Sequence, residues 1–190
     1  MVMVAGVSEL ELVRPSLQLV PSYIEALRAG PFSHMALGGF GDEPVQSVSA
    51  DPQGFIERLT SQAPRTIITP NRQVFQLRDH SIRWAIDRSG SFVGGLSFRN
   101  DVGNPLIDSY CGNVGMSVRY DLRNQGFSTR IWPLILRQFA AQGFTSIVAS
   151  ADIDNLASIR SIERAGGVVI GRNNLFGYGE AFVYRIATPR

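Results

Sequence analysis

A strand pattern, a helical pattern and a second strand pattern follow one another within residues 110–150. Apolar positions in residues 126–142 recur at the spacing of an amphipathic helix, after a strand pattern over residues 110–119. Residues 145–150 are rich in β-branched side chains, which is typical of a strand. Ligands gather where the carboxyl end of a strand meets the first turn of a helix. This unit therefore predicts a ligand site at the start of its helix.

The remaining sequence predicts further strands and helices on both sides of this unit. They are, in chain order, a strand at residues 10–14, helices that begin at Pro21 and Asp51, strands at residues 81–87 and 92–99, a helix at residues 155–165, and strands at residues 168–170 and 181–186. Residues 32–50 and the stretch around Pro64 and Pro70 carry turn residues and are predicted to be irregular. This order predicts a mixed α/β fold with one central sheet, built as a single domain over residues 1–190.

The residue types present exclude several classes of chemistry. All 18 basic residues are arginine, and without a lysine the chain cannot form a phosphate-binding Walker loop or a pyridoxal Schiff base. The single cysteine, Cys111, cannot form an internal disulfide, which favours a reducing compartment. The two histidines, His34 and His80, are far apart in the sequence, so we expect no zinc site and no other metal.

Charge and hydropathy indicate where such a chain works. The formal net charge is +2 and the arginines are spread along the chain, so we expect no nucleic-acid partner. The longest apolar run, residues 131–136, is far too short to span a bilayer. The apolar residues 1–7 lack the basic residues of a secretion signal. We therefore expect a cytoplasmic protein with no membrane partner.

The junction between strand and helix has a composition suited to an anion. Its residues are Arg123, Asn124, Gln125, Gly126, Phe127, Ser128 and Thr129. Backbone N–H groups at a helix start are unpaired and carry the positive end of the helix dipole. Gly126 lets the backbone approach a ligand closely, and two hydroxyls add donors. The junction suits a pyrophosphate; the alternative is an ordinary glycine at a loop-to-helix junction beside solvated arginines.

A second segment follows this junction and makes a family resemblance visible. It contains Asn155, Ser158, Glu163, Arg164 and Gly166. Together the two segments resemble the GNAT superfamily of acyl-CoA-dependent N-acetyltransferases. The family's pyrophosphate loop, Arg or Gln followed by x-x-Gly-x-Gly or Ala, is matched by Arg123 and Gly126, with Ser128 in the last place. Its Asn-x-x-Ser or Ala helix, which ends in Glu-Lys-x-Gly, is matched by the second segment.

The resemblance covers nearly the whole chain. Residues 12–27, 84–87 and 112–119 are similar to bacterial acetyltransferases near the branch that acetylates ribosomal-protein N-termini. It implies a central, mostly antiparallel, twisted sheet that is flanked by helices and splayed at the acyl-CoA site. It also implies acetyl-CoA as co-substrate and direct attack of an amine on the thioester, aided by a backbone N–H that polarises the carbonyl.

Carried over residue by residue, the resemblance assigns the parts of the cofactor. The pantetheine arm would lie along Met116, Ser117 and Val118 like an added edge strand, and its amide would bond to Asn155. The pyrophosphate would lie on residues 125–128, at the helix start.

The chain departs from the family pattern at the residue that usually protonates the departing thiolate. Many members have a tyrosine there, and this chain has Ile162. Ser158 is our candidate for the acid; alternatively, it is a helix serine that satisfies backbone donors. With the usual acid lost, the chain could instead be a catalytically idle, regulatory CoA-binding module.

The acceptor is left open between a protein N-terminus and a small-molecule amine, such as a polyamine, an amino acid or an aminoglycoside. No residue stands out as general base; the candidates are Glu43, His80, Asp87, Asp108 and Glu180. Such a site suits an α-amine, whose pKa is about 7.7 to 8.0, better than a lysine amine at about 10.4. The resemblance also makes a homodimer an expectation.

Overall fold

A computed structural model of the protein describes residues 9–31, 43–174 and 176–189. Within these ranges the chain forms helices α1 to α5 and strands β1 to β9. They are β1 (Glu11–Val13), α1 (Val20–Ala29), α2 (Val45–Ala50), α3 (Pro52–Thr60), β2 (Arg65–Ile68), β3 (Val74–Leu77), β4 (His80–Ile86), β5 (Phe92–Arg99), β6 (Val114–Val118), α4 (Phe127–Ala141), β7 (Ser146–Asp152), α5 (Leu156–Arg164), β8 (Val168–Asn173) and β9 (Ala181–Ala187). The predicted apolar start, residues 1–7, lies outside the described residues.

The strands form two main sheets and a separate hairpin. One antiparallel sheet has the order β1-β4-β5-β6, the other has the order β7-β9-β8, and β2 pairs with β3. Helix α4 connects β6 to β7, which is the usual connection between neighbouring parallel strands. The mixed α/β fold with antiparallel sheets and flanking helices is confirmed, with the central sheet split between β6 and β7.

Asn113 joins the two main sheets where β6 begins, through both its backbone and its side chain. The Asn113 N–H donates to the Val148 carbonyl at 2.7 Å, and the Val148 N–H donates to Asn113 Oδ1 at 2.7 Å. The Asn113 side-chain amide also donates to the Arg99 carbonyl at 3.0 Å. Beyond this point no strand pairing joins β6 to β7 in the described chain, which leaves an opening between the two strands. We call this opening the β6–β7 gap, bordered by Met116–Val118 and by residues 150–152.

Helices cover both faces of the sheets. On one face α4 and α5 bury a core against β5, β7 and β9, and the Trp132 indole N–H donates to Ser161 Oγ at 2.8 Å. On the other face α1, α2 and α3 pack on β4 and β5. There Tyr23 stacks on Trp84 with ring centroids 4.8 Å apart. Burial of large aromatic side chains on both faces fixes the helices that lie around the gap.

The structure corrects the predictions for residues 32–50 and 61–80. Residues 32–42 of the predicted loop lie outside the described residues, but Val45–Ala50 is helix α2, which the sequence analysis missed. The stretch predicted as irregular forms the hairpin β2–β3, whose turn includes Arg72 at φ 65°. The hairpin is stabilised by packing of Ile67 and Leu77 in a third apolar cluster, rather than by a clear alternation in its sequence.

The strand predicted over residues 110–119 is shorter than expected. Residues Ile107–Cys111 form a π-helical turn that ends at Gly112, and β6 begins only at Val114. Ile107 and Tyr110 are buried in the third cluster, which holds this segment against the hairpin instead of extending the strand. The turn therefore lies directly before the gap.

Candidate functional site

Helix α4 begins with free backbone donors at the end of β6. Its N-cap is Gly126, at a left-handed φ of 79°, and no side chain caps the helix. Within the described chain, no group accepts a hydrogen bond from the N–H of Phe127, Ser128 or Thr129. The first turn contains no acidic residue. These unpaired N–H groups, at the positive end of the helix dipole, can donate hydrogen bonds to an anion, at the junction where the sequence analysis predicts a pyrophosphate.

The polar side chains of this junction are partly engaged with the backbone around them. Arg123 donates to the Pro31 carbonyl at 3.1 Å and to the Val118 carbonyl at 3.4 Å, and lies over the Tyr120 ring at 5.2 Å. Gln125 donates from its side-chain amide to the Asp121 carbonyl at 2.8 Å. Two hydrogen bonds leave N–H groups of the Arg123 guanidinium unused. Its charge therefore stays beside the helix start while the loop is held in place.

The edge of β6 presents free backbone groups to the gap. The Arg119 N–H donates to the Val93 carbonyl of β5 at 2.9 Å. Because hydrogen-bonding directions alternate along a strand, the N–H and C=O of Met116 and Val118 point away from β5 and into the gap. Ser117 directs its own backbone groups toward β5. Of the three residues predicted for pantetheine, Met116 therefore offers its N–H and C=O, and Val118 offers its N–H, since Arg123 already donates to the Val118 carbonyl. Ser117 offers only its side chain.

The start of α5 borders the same gap from the β7 side. Asn155 is its N-cap, with Oδ1 accepting from the Ser158 N–H at 3.1 Å. The Asn155 acceptor is thus used by the helix, and only its NH₂ group is left for a ligand. The Ser158 hydroxyl is half-buried and has no hydrogen-bond partner among the described residues. The backbone N–H of Ser158, and not its hydroxyl, is the group that the cap satisfies.

The place of the family's tyrosine is filled by a core side chain. Ile162 is 3% exposed, packs in the cluster between the sheet and α4, and lies against Gly167. A Cβ added at Gly167 would come within 2.5 Å of an Ile162 methyl group. Residue 162 therefore serves packing here and carries no acidic group.

The structure shows the surroundings of Cys111, the single cysteine of the sequence. Burial raises the pKa of the Cys111 thiol, against the opposing effect of the Arg99 charge, so the thiol stays protonated. The described residues contain no group of three or more His, Cys, Asp and Glu side chains placed to hold a metal ion. Nor does any described helix have the length and apolarity needed to cross a bilayer.

The sequence analysis did not select two residues that shape the site. Gly112, at φ 66°, ends the π-helical turn, and Asn113 joins the two sheets at the closed end of the gap. The signal in the sequence is the Gly-Asn pair just before a strand, a dipeptide that favours turns. Their roles depend on contacts with β5 and β7, which are distant in sequence.

The split sheet, with an open strand edge that leads to a helix start without a side-chain cap, can accommodate an extended ligand that ends in a phosphate. The family described as "Acetyltransferase (GNAT) domain" matches residues 41–168, more than half of the 190 residues. This chain belongs to the GNAT acetyltransferase family. No curated protein matches the chain at a significant level of sequence similarity.

Solved structures of acetyltransferases have the same fold. RimL, a ribosomal L7/L12 alpha-N-protein acetyltransferase in complex with coenzyme A, is similar with a TM-score of 0.62 and 14% identity, covering 96% of this chain and 95% of RimL. A GNAT-family acetyltransferase from Bacillus anthracis has a TM-score of 0.60 and 14% identity, covering 96% and 97%. AAC(6')-Ib, in complex with paromomycin and acetyl-CoA, has a TM-score of 0.59 and 15% identity, covering 94% and 93%.

Family membership confirms the predicted resemblance and the predicted class of enzyme. The protein is an N-acetyltransferase that uses acetyl-CoA as its co-substrate and transfers the acetyl group to an amine. At these identities the solved structures show the shared fold, and the family match carries the activity.

Proposed function

We propose that this chain binds acetyl-CoA along the β6–β7 gap and acetylates an amine that enters from the face opposite α4. The observation that carries the proposal is the continuity of the free edge of β6 with the uncapped start of α4. An extended pantetheine arm can pair with the first, and a pyrophosphate can accept hydrogen bonds from the second. Residues 123–129 hold the pyrophosphate in this proposal.

Backbone groups position the thioester. The N–H and C=O of Met116 and the N–H of Val118 pair with the pantetheine amides, and the NH₂ group of Asn155 donates to a pantetheine carbonyl. A β6 N–H that is left free near the thioester donates to its carbonyl oxygen. That hydrogen bond stabilises the negative charge which develops on the oxygen as the amine attacks.

The reaction is a direct transfer with a balanced movement of protons. The neutral amine attacks the thioester carbon, the C–N bond forms, and the C–S bond then breaks. The nitrogen loses one proton, and the departing thiolate gains one to give free CoA. Ser158, whose hydroxyl is free and near the start of α5, is the proposed donor to the thiolate. Water carries the proton that leaves the nitrogen back to the Ser158 oxygen, which restores the hydroxyl.

Replacing Ser158 with alanine is expected to lower kcat at least tenfold while leaving the affinity for acetyl-CoA unchanged. Alanine is the better helix former, and the backbone N–H that Asn155 caps is retained, so the fold is preserved. Steady-state kinetics and calorimetric titration with acetyl-CoA measure the two effects. An unchanged kcat would show that water or the substrate supplies the proton.

The first test of the proposed function is the melting temperature of the protein with acetyl-CoA, against NADH and ATP as controls. At about one hundred times the dissociation constant, acetyl-CoA should stabilise the protein by about 2.7 kcal/mol. For a domain of this size that corresponds to a rise on the order of 5 to 10 °C. A shift with acetyl-CoA alone supports the site; no shift at saturating concentrations contradicts it.

A second candidate function, a catalytically idle CoA-binding module, is favoured by the packing of Ile162 where relatives carry an acid. Release of free CoA that depends on an added amine separates the two functions. An idle module would show the same thermal shift with acetyl-CoA but no release.

The finer assignments are part of the proposal. We infer an acceptor that is a protein N-terminus or an amine-bearing small molecule, a cytoplasmic location, a single domain over residues 1–190, and a homodimer without nucleic-acid or membrane partners. The near-neutral net charge and the single cysteine support the location and the partners. Coverage of about 95% of this chain by related folds supports the single domain. Gel filtration and nucleic-acid binding assays test the partners directly.

A further inference from the structure

The two faces of β7 differ in character at the open end of the gap. Ile147, Ala149 and Ala151 are buried in the core against α4. Side chains alternate along a strand, so Ser150 and Asp152 lie on the opposite face. Asp152 pairs in register with Ala181, which is buried in the third apolar cluster together with Tyr110. The last carboxylate of β7 therefore lies on the side from which an acceptor has to enter.

An aromatic surface lies beside this carboxylate. Tyr110 stacks on Tyr178 with ring centroids 5.4 Å apart and an angle of 19° between the ring planes. Phe176 packs edge-on against Tyr110 at 6.0 Å and against Phe75 at 5.3 Å. These rings come from the π-helical turn, the β8–β9 connection and β3, three segments that meet only in the folded chain. Tyr178 is half-buried, so part of its ring stays accessible.

The carboxylate is close to the rings and is not neutralised. Burial, the Asp152 charge and the neighbouring Tyr178 and Cys111 raise the pKa of Tyr110 to about 12. Asp152 is exposed, and no described residue forms an ion pair or hydrogen bond with its carboxylate. Since Tyr178 stacks on Tyr110 and packs in the same cluster as Ala181, the unpaired carboxylate and a partly accessible ring border one surface, a combination that can recognise an alkylammonium group.

We propose that Asp152 and the ring of Tyr178 form the acceptor-binding site, and that it takes a primary ammonium group with no carboxylate beside it. The assignment rests on the proposed function, because it places the amine across the gap from the anionic cofactor. The Asp152 carboxylate accepts a hydrogen bond from the ammonium, and the Tyr178 ring contacts the adjoining carbon atoms. The bound ammonium gives one proton to water before the neutral amine attacks the thioester. A free amino acid would bring its own carboxylate against Asp152 and be disfavoured by like-charge repulsion.

Three probes test whether a carboxylate beside the amine is disfavoured: 2-phenylethylamine, phenylalaninamide and phenylalanine. Each carries a phenyl group, and they differ in the group next to the amine. The wild-type protein, saturated with acetyl-CoA, should have a higher kcat/KM for the first two than for the free amino acid. Asp152→Asn should raise KM for phenylalaninamide about tenfold, the loss expected for a charge-assisted hydrogen bond, with kcat within about twofold. The preference for the amide over the free acid should fall by a similar factor.

Asp154→Asn is the matched control, because Asp154 is an exposed carboxylate two residues beyond Asp152 and no described residue forms an ion pair or hydrogen bond with its side chain. It should leave KM and the preference unchanged. Calorimetric titration of each protein with acetyl-CoA distinguishes failure of the proposed function from failure of the acceptor site. Absence of acetyl-CoA binding in the wild type would contradict the proposed function itself. Three other results would each overturn the acceptor site alone. They are normal acetyl-CoA binding with no binding of any probe, an unchanged preference in Asp152→Asn, and weaker acetyl-CoA binding in that variant.

Discussion

Replacing Gly126 with glutamate is expected to weaken acetyl-CoA binding at least a hundredfold, a loss of about 2.8 kcal/mol. The glycine is the N-cap of α4, directly before the free N–H groups of Phe127, Ser128 and Thr129. A carboxylate there places bulk and like charge at the proposed position of the pyrophosphate. An added Cβ meets nothing within 4 Å, so the fold loses only about 1 kcal/mol from the positive φ. Calorimetric titration and a denaturant melt measure the two effects separately.

Gly143→Glu is the matched control for that substitution. Gly143 follows the other end of α4, also has a positive φ (86°), and also has open space around its Cβ position. The control variant therefore has the same change of charge and a comparable strain, but lies away from the helix start. It should bind acetyl-CoA like the wild type. Equal weakening in both variants, or none in Gly126→Glu, would show that the pyrophosphate does not lie at the start of α4.

The parts of the fold that could be predicted are those with a strong local pattern. Helix α4 has one apolar and one polar face over Phe127–Ala141, which gives a clear periodic pattern. The bounds predicted for β5 are those that the structure gives. Helix α2 has six residues, with only Val48 buried, so it leaves almost no periodic signal. The hairpin β2–β3 exposes Ile68 and Val74, and its order comes from contacts with the π-helical turn and the β8–β9 connection. Such contacts cannot be seen from local sequence.

The candidate site also has a part that sequence motifs predict and a part that depends on contacts in the folded chain. The junction around Gly126 and the pair Asn155 and Ser158 form short motifs, and their resemblance to the family's motifs implies a cofactor site. Asn113 and the proposed acceptor residue Asp152 have roles that depend on strands which meet only in space. The Gly-Asn pair signals a turn at Asn113 but not its bonds to β7, and no sequence neighbour of Asp152 signals the proposed role. The cofactor side was therefore predictable, and the acceptor side needed the structure.

Replacing Gly112 with alanine is expected to destabilise the protein by about 3 kcal/mol or more, the combined cost of overpacking and of an unfavourable φ. An added Cβ would lie 2.5 Å from the Val148 carbonyl oxygen and 2.8 Å from the Ala149 Cα, both backbone atoms of β7. Neither atom can move without shifting β7, and with it the Asn113 hydrogen bonds that join the two sheets. Urea denaturation at several temperatures measures the loss.

Gly90→Ala isolates the backbone part of that cost. Gly90 also has a positive φ, 80°, but nothing lies within 4 Å of its Cβ position, so alanine there should cost only about 1 kcal/mol. The excess in Gly112→Ala then measures the close approach of the two sheets. If Gly112→Ala remains partly folded, it should also bind acetyl-CoA more weakly. Separating the strands at Asn113 changes the width of the β6–β7 gap along its length. Equal destabilisation by the two alanines would mean that β6 and β7 do not approach each other closely at Gly112, and the gap would then need a different origin.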